Sequence, residues 1–412
     1  MRYFLFAAAL CCAFGRDTAA AQAYRIEAEP VRLSVTRNNG QADASGYSVF
    51  RLDDRFVWGA SAIRGEDGRY YLIYSAPPTG THAFDPAWVL GSQMGLAVSD
   101  RPDGGFRDLG IFLNPDGFRT DSSAWDAQTV MNPHVRKFDG KYYLYYVGGV
   151  DPGNRRIRSA DGTLPLRDRI QQSLRIGVIA FDSFADLQAG RYERSDVPLL
   201  APRTRVKPDR IVDPSPDGTR PMPDNIIVVN PSVVRRPSDG KYLLYFKGNI
   251  YDPTWRGVHG VALGDSPTGP FVPLDREVFT VETSDGHKSS AEDPYVWYCG
   301  RDSAFYAIFK DFTGAFTQGE PCLAVMRSDD GIDWELPDTS LFMKKQLLLP
   351  SGDTLKVARL ERPQLLTDAQ GVPLVLYCAC AVSEVNGRKD GGSFNIQIRL
   401  KERRPSPTAA DE

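Results

Sequence analysis

Residues 131–149 read MNPHVRKFDGKYYLYYVGG, and residues 229–248 read VNPSVVRRPSDGKYLLYFKG. Each is a polar-Pro step, a short apolar run, a polar turn at Asp-Gly and an aromatic-rich run. That order predicts a β-hairpin. The same order returns as EDPYVWYCGRDSAFYAIFKD over 292–311 and as ERPQLLTDAQGVPLVLYCAC over 361–380. A fainter first copy, VWGASAIRGEDGRYYLIYSA, covers 57–76. A hairpin repeated at intervals of several tens of residues is the mark of a propeller or related array.

A second repeat follows most copies: GLAVSDRPDGGF to Phe106, GVIAFDSF to Phe184, GVALGDSPTGPF to Phe271 and LAVMRSDDGIDW to Trp334. Joined to the first, it makes a four-stranded sheet, one propeller blade. Five first hairpins therefore predict an all-β, five-bladed β-propeller over residues 47–402, as a single domain. The last blade has one further strand, Phe394 to Leu400, before the chain runs out, so Tyr47 to Leu52 is expected to complete it and close the ring. A β-sandwich with coincidental hairpins is the alternative, and two repeats marching in the same order count against it.

Composition narrows the function classes. The chain has 412 residues, 37 Gly, 30 Pro and 11% aromatics. No apolar run is long enough to span a membrane. A formal net charge of −3, with no basic stripe, argues against a nucleic-acid partner. Arg2, the apolar run Phe4 to Phe14 and the small-x-small triplet Ala21-Gln22-Ala23 read as a signal peptide over 1–23, cleaved after Ala23. This implies a periplasmic or secreted protein. Residues 24–46 form an N-terminal segment, and 403–412 a disordered tail. Cys299, Cys322, Cys378 and Cys380 remain after cleavage, too few for a disulfide scaffold. A Cys299–Cys322 bridge and four free thiols both fit. No Cys/His spacing suits zinc. No cofactor is expected, although a structural divalent cation in the central channel is compatible with the fold.

In a propeller the first strands of all blades start at one central channel. Those starts are Trp58-Gly59-Ala60, Asn132-Pro133, Asn230-Pro231, Glu292-Asp293-Pro294 and Glu361-Arg362-Pro363. Glu292, Asp293 and Glu361 would thus meet Asn132, Asn230 and Arg362, with Asp126 a further carboxylate just before blade two. Converging carboxylates suit glycoside hydrolysis, where one acid is protonated and another ionised. Trp58, Trp88, Trp125, Trp255 and Trp297 offer flat faces for sugar rings. Each carboxylate has a purely structural alternative, as a blade anchor. His287, five residues before Glu292, could enter the channel or remain a structural group. Lys247, Lys310 and Asp311 end second strands and are either solvated rim charges or contacts for sugar hydroxyls.

These residues resemble the five-bladed propeller glycoside hydrolases of families 43 and 117, over roughly Phe50 to Lys401. The chain is most similar to exported bacterial proteins of the family 117 kind. The marks that carry the resemblance are Trp58 to Ser61, Asn132-Pro133, Asn230 to Ser232, Glu292 to Tyr298, Lys310 to Thr317 and Leu360 to Leu365. The resemblance implies exo-acting release, with inversion, of a terminal galactose-type or furanosyl sugar, such as 3,6-anhydro-L-galactose or a galactofuranose, and a catalytic role for Glu292. Three departures stand beside it. The blade-one Asp base of family 43 is replaced by Gly59-Ala60, the acids of blades two and three by Asn132 and Asn230, and the histidine preceding the blade-four Glu by Ala291.

The expectation is therefore an exported exo-glycosidase acting on an oligo- or polysaccharide. Glu292 is the expected proton donor or its close partner, Asp293 and Glu361 shape its pKa, and Asp126 is the leading base. A carbohydrate-binding propeller without catalysis is the alternative favoured by the missing blade-one acid. A glycoside phosphorylase is a third, with Arg362, Lys310 and Lys247 for phosphate.

Overall fold

The structure is a computed structural model that describes residues 26–38, 41–116, 123–153, 157–158, 164–203, 211–212, 220–251, 255–283, 286, 288–289 and 291–402. The expected signal segment, its expected cleavage site and the expected tail from 403 lie outside the described residues.

Five antiparallel sheets are arranged as the blades of a β-propeller. Blade one comprises Trp58–Arg64, Tyr70–Ala76, Gln93–Ser99 and Arg107–Leu113, and blade two Thr129–Phe138, Lys141–Gly149, Arg175–Phe181 and Glu193–Arg194. Blade three comprises Val228–Arg235, Tyr242–Tyr251, Trp255–Gly264 and Val272–Pro273, and blade four Ala291–Cys299, Ala304–Asp311, Leu323–Ser328 and Leu341–Met343. Blade five has Arg359–Thr367, Pro373–Ala381 and Phe394–Glu402. Its outer edge is completed from the other end of the chain, since Val49–Phe50 pairs with Asn395 and Ile396. Ile26–Ala28, which lies ahead of the expected propeller boundary, pairs with Leu400–Glu402.

The second strands are apolar on both faces because each blade is sandwiched between two others. In blade two, Tyr142, Leu144 and Tyr146 pack toward blade one, while the alternate residue Tyr145 packs toward blade three. Alternate side chains of a strand face opposite ways, so a continuous apolar run serves both neighbours. The tight turn between the first two strands of blade two holds Asp139 at φ 49° and Gly140 at φ 89°. Positive φ at both central residues matches the twist of the flanking strands.

The two repeats meet across blades. Tyr145 donates its hydroxyl to Pro267 O in the outer turn of blade three at 2.8 Å. Tyr245 does the same to Gly331 O of blade four, and Tyr377 to Pro102 O of blade one at 2.6 Å. The aromatic of one repeat thus buttresses the Ser-Asp turn of the other.

The first strands carry one further shared feature. Gly59, Asn132, Asn230, Asp293 and Arg362 occupy equivalent positions, all at φ between 44° and 60°. At each, strand pairing slips by a residue, a β-bulge. Two residues further on, Ser61, His134, Ser232, Tyr295 and Gln364 are all buried and latch blade to blade. Ser61 Oγ accepts from Val135 N at 3.0 Å, His134 Nε2 from Val233 N at 2.9 Å and Ser232 Oγ from Val296 N at 2.9 Å. Tyr295 donates to Leu365 O at 2.9 Å, and Ser61 to Gln364 Oε1 at 3.2 Å, closing the ring.

The four cysteines among the described residues, Cys299, Cys322, Cys378 and Cys380, are free and buried, which resolves the Cys299–Cys322 alternative in favour of thiols.

Candidate active site

The bulges set three levels along the axis. Immediately before each left-handed residue stands one that faces a cavity of about 280 Å³: Trp58, Met131, Val229, Glu292 and Glu361. Their cross-strand partners add Ser75, Lys247 and Lys310. The left-handed residues themselves form the floor, and the latches lie beneath it.

The floor is a chain of hydrogen bonds around the axis. Asn132 donates to Asn230 Oδ1 at 2.8 Å, and Asn230 donates to Asp293 Oδ1 at 2.7 Å. Asp293 also accepts from Arg362, from its backbone N at 3.1 Å and Nη1 at 3.3 Å. The chain stops at Gly59. A Cβ there would lie 3.0 Å from Arg362 Nε, so the guanidinium fills the volume where a blade-one side chain would stand.

The walls differ in character. Blades three to five supply charge. Glu292 Oε1 lies 3.4 Å from Lys247 Nζ, and its Oε2 lies 3.8 Å from Lys310 Nζ. Lys310 also donates to Glu361 Oε1 at 2.6 Å, and Arg359 Nη1 reaches the same oxygen at 3.1 Å. The opposite wall is largely aromatic and aliphatic: Trp58 packs on Phe84 with ring centroids 4.6 Å apart, beside Trp88, Met131 and Leu174. Arg167, paired with Asp85, lies over the Trp88 ring at 5.6 Å. Phe84 and Trp88 come from the short helix Phe84–Leu90 and Leu174 follows another, Leu166–Gln172, and each helix is inserted between the second and third strands of its blade. Phe312, exposed at the rim, lies under the Lys310 ammonium at 4.3 Å.

Burial alone would raise the Glu292 carboxyl, but Lys247 and Lys310 outweigh it and hold it below the usual carboxylate range. Burial and the Glu292 charge push Asp293 up to about 6, against the pull of Arg362. Burial opposes the charge on Lys310, yet Glu361 and Glu292 raise its pKa, so it stays an ammonium. The pair Glu292 and Asp293 is therefore split, with the cavity-facing member ionised.

The fold brings together Trp58, Asn132, Asn230, Lys247, Glu292, Asp293, Lys310, Glu361 and Arg362. Several sequence expectations are corrected. Two ammoniums stabilise the ionised form of Glu292, so of its two expected roles, proton donor or close partner of the donor, the free protein favours the second. Asp126 does not line the cavity. It is buried in blade two, where its Oδ2 accepts from Tyr146 at 2.8 Å and pairs with Arg194. Asp311, adjacent to Lys310, points the other way along the pleat. It accepts from the backbone N of Thr313 and Gly314 at 2.9 Å and of Phe316 at 3.1 Å, capping the following turn. Trp125 and Trp297 pack within blades on Tyr146 and Tyr306. His287 lies outside the described residues.

Arg359, Phe84 and Phe312 were not anticipated. Arg359 had a signal, since it stands two residues before Glu361 and so shares its face. The helix and rim aromatics had none in the repeat pattern. Among the described residues no group of three or more His, Cys, Asp or Glu is placed to hold a metal ion.

No family model matches the chain. A stretch of 96 residues is 32% identical to the extracellular endo-α-(1→5)-L-arabinanase 2 of Bacillus subtilis, covering 22% of this chain and only 19% of the arabinanase. Similar solved structures include Zg3597, a family 117 glycoside hydrolase produced by the marine bacterium Zobellia galactanivorans, with TM-score 0.52 and 16% identity over 92% of this chain and 91% of that one. Another is an α-L-arabinofuranosidase from Lactobacillus brevis, with TM-score 0.51 and 12% identity over 84% and 91%. The shared property is the five-bladed propeller.

Proposed function

We propose that the protein is an exported glycoside hydrolase that removes a terminal galactose-type or furanosyl sugar from an oligo- or polysaccharide. The observation that carries this reading is the meeting of Glu292 and Glu361 on one ammonium, opposite an aromatic wall, above a closed floor. A blind cavity favours a chain end over a chain interior, and a wall of Trp58 and Trp88 suits the apolar face of a sugar ring. The likeness in fold to a family 117 hydrolase and an arabinofuranosidase agrees with it. Export rests on Arg2, the apolar run and Ala21-Gln22-Ala23.

In this mechanism Glu292 is the ionised partner, acting on the anomeric carbon or on water. Glu361 serves as the acid toward the leaving oxygen only once substrate displaces the Lys310 ammonium and the Arg359 guanidinium that hold its carboxylate. Lys247, Lys310, Arg359 and Arg362 supply positive charge around the carboxylates, and no cofactor is invoked. The family resemblance implies inversion, which needs carboxyls roughly 6.5–9.5 Å apart. Lys310 lies 2.6 Å from one glutamate oxygen and 3.8 Å from the other, which ties those oxygens closer than that. Inversion and retention are the two stereochemical outcomes to distinguish. The anomer first formed, followed by NMR, separates the two.

The test is a screen of aryl furanosides and pyranosides with wild type, Glu292→Gln and Glu361→Gln. Release by wild type that both variants lose supports hydrolysis. Sugar binding without turnover would favour the non-catalytic propeller, which Gly59 in place of an acid already suggests. Turnover only with phosphate present would favour the phosphorylase.

A further inference from the structure

A second recess of about 290 Å³ lies on the same face, between the edge of blade four and the hairpin that leads into blade five. Its lining includes Lys344, Lys345 and Lys356, with Glu320 as the one carboxylate among the lining residues. Lys344 and Lys345 follow the outer strand Leu341–Met343, and Lys356 stands opposite Gln346 in the paired strands Gln346–Leu348 and Thr354–Lys356. All three lysines are exposed, and among the described residues none pairs with a carboxylate. The cavity lysines Lys247 and Lys310, by contrast, are each neutralised by a glutamate. Like charges gathered without a counter-charge repel, and such a recess attracts an anion.

Topology relates this recess to the active-site cavity. In blade four the chain starts its first strand at the cavity, returns to that face at Asp311, and enters the loop 312–322. Phe312 of that loop lines the central cavity, while Thr317 and Cys322 line the recess. One loop is therefore the partition between the two. Its near end is fixed by the Asp311 carboxylate, which binds three backbone N–H groups of the turn.

We infer that Lys344, Lys345 and Lys356 form an accessory subsite for a carboxylated or sulfated sugar unit. The unit belongs to a polysaccharide whose end occupies the central cavity and whose chain passes over Phe312. The inference rests on the reading of that cavity as a sugar-end site. Anionic substrate is held at the recess by charge, so its binding weakens as salt screens it.

The test is affinity electrophoresis and calorimetry of the whole protein with polygalacturonate, a sulfated galactan and a neutral galactan. The variants are the triple Lys344→Ala, Lys345→Ala, Lys356→Ala and the single Lys345→Glu, with melting temperature as the folding control. A control protein loses Lys137, Lys389 and Lys401 instead. Expected is a loss of at least tenfold in affinity for one or both anionic polymers in the triple variant and a smaller loss in Lys345→Glu. The control variant and the neutral polymer should be unaffected, and hydrolysis of a small neutral aryl glycoside unchanged. The carboxylated and sulfated arms tell which anion is preferred. Equal binding of both anionic polymers by wild type and triple variant overturns the inference, as does no binding by wild type, or an equal loss in the control. Should Glu292→Gln keep full activity while the lysine variants lose binding, the catalytic reading fails and the anionic subsite stands.

Discussion

Two rungs of the same five strands behave in opposite ways. The cavity rung holds Trp58, Met131, Val229, Glu292 and Glu361. The latch rung three residues further along holds Ser61, His134, Ser232, Tyr295 and Gln364. Every latch residue makes or takes a bond to the next blade, four of them to a backbone group and Gln364 to the Ser61 side chain. Its chemistry is therefore restricted to groups that can satisfy a buried polar partner. The cavity residues face space, so they are free to differ, and they do: apolar in the first three blades, acidic in the last two. The difference teaches that fivefold architecture and one-sided chemistry are written on the same strands at separate heights.

The largest effect that sharpens this contrast is expected from Glu292→Gln. Once a substrate is in hand, kcat should fall by roughly 10²–10⁴-fold, the usual worth of a positioned acid or base. The melting temperature should barely move, since the side chain faces the cavity. Full activity in this variant would remove the catalytic role.

The converse holds one level down. His134 is buried and held neutral, its pKa lowered to about 3 by burial and by Arg136. Its Nε2 accepts from Val233 N, so Nδ1 carries the proton toward Gln364 Oε1 at 3.1 Å. His134→Ala leaves that backbone N–H without a partner and opens a void, for a cost of about 2–4 kcal/mol in chemical denaturation. The fraction that remains folded should turn over substrate normally. An unaltered denaturation midpoint would break the comparison.

Between the rungs, the floor should report in the pH profile. Asp293, at about 6, accepts bonds from Asn230 and Arg362 as its anion. Activity should therefore fall as pH drops through about 6, and Asp293→Asn should abolish that acid limb. For stability the sign is opposite. A carboxyl whose folded pKa is raised binds its proton more tightly in the folded state, so its own contribution declines as pH rises toward 6.

A smaller effect belongs to Gly59→Asp. Its φ of 44° is one that Asp tolerates, and the Cβ would lie 3.0 Å from Arg362 Nε. The new carboxylate should draw Arg362 away from Asp293 and move the acid limb above 6. A limb that stays in place would mean that Arg362 does not couple the two. The least effect is expected from reductant. With all four thiols free and buried, melting with and without dithiothreitol should coincide, and loss of folding would count against free thiols.

Much of the site was legible because the polar-Pro step recurs in the first strand of four of the five blades. Glu292, Glu361, Arg362, Asn132 and Asn230 could be placed at the axis from that step alone. The sorting of neighbours could not. Glu292 and Asp293 are adjacent in sequence, yet one faces the cavity and the other the floor, because the bulge turns the chain at Asp293. Asp126 was the leading candidate base and Asp311 either a rim charge or a contact for sugar hydroxyls, but Arg194 and a turn of backbone N–H groups claim them.

What the sequence determined by itself is the repeat, and with it the number of blades, the strand order and the closure of blade five by a strand within Tyr47 to Leu52, though not the added pairing of Ile26–Ala28. Those follow from local patterning, period-two alternation and turn chemistry, which neighbouring residues carry. Only the tertiary structure decided the protonation of the carboxylates and the place of Arg362 in the space left by Gly59. Charge stabilisation depends on which ammonium lies a few ångströms away, and Lys247, Glu292, Lys310 and Glu361 come from three different blades.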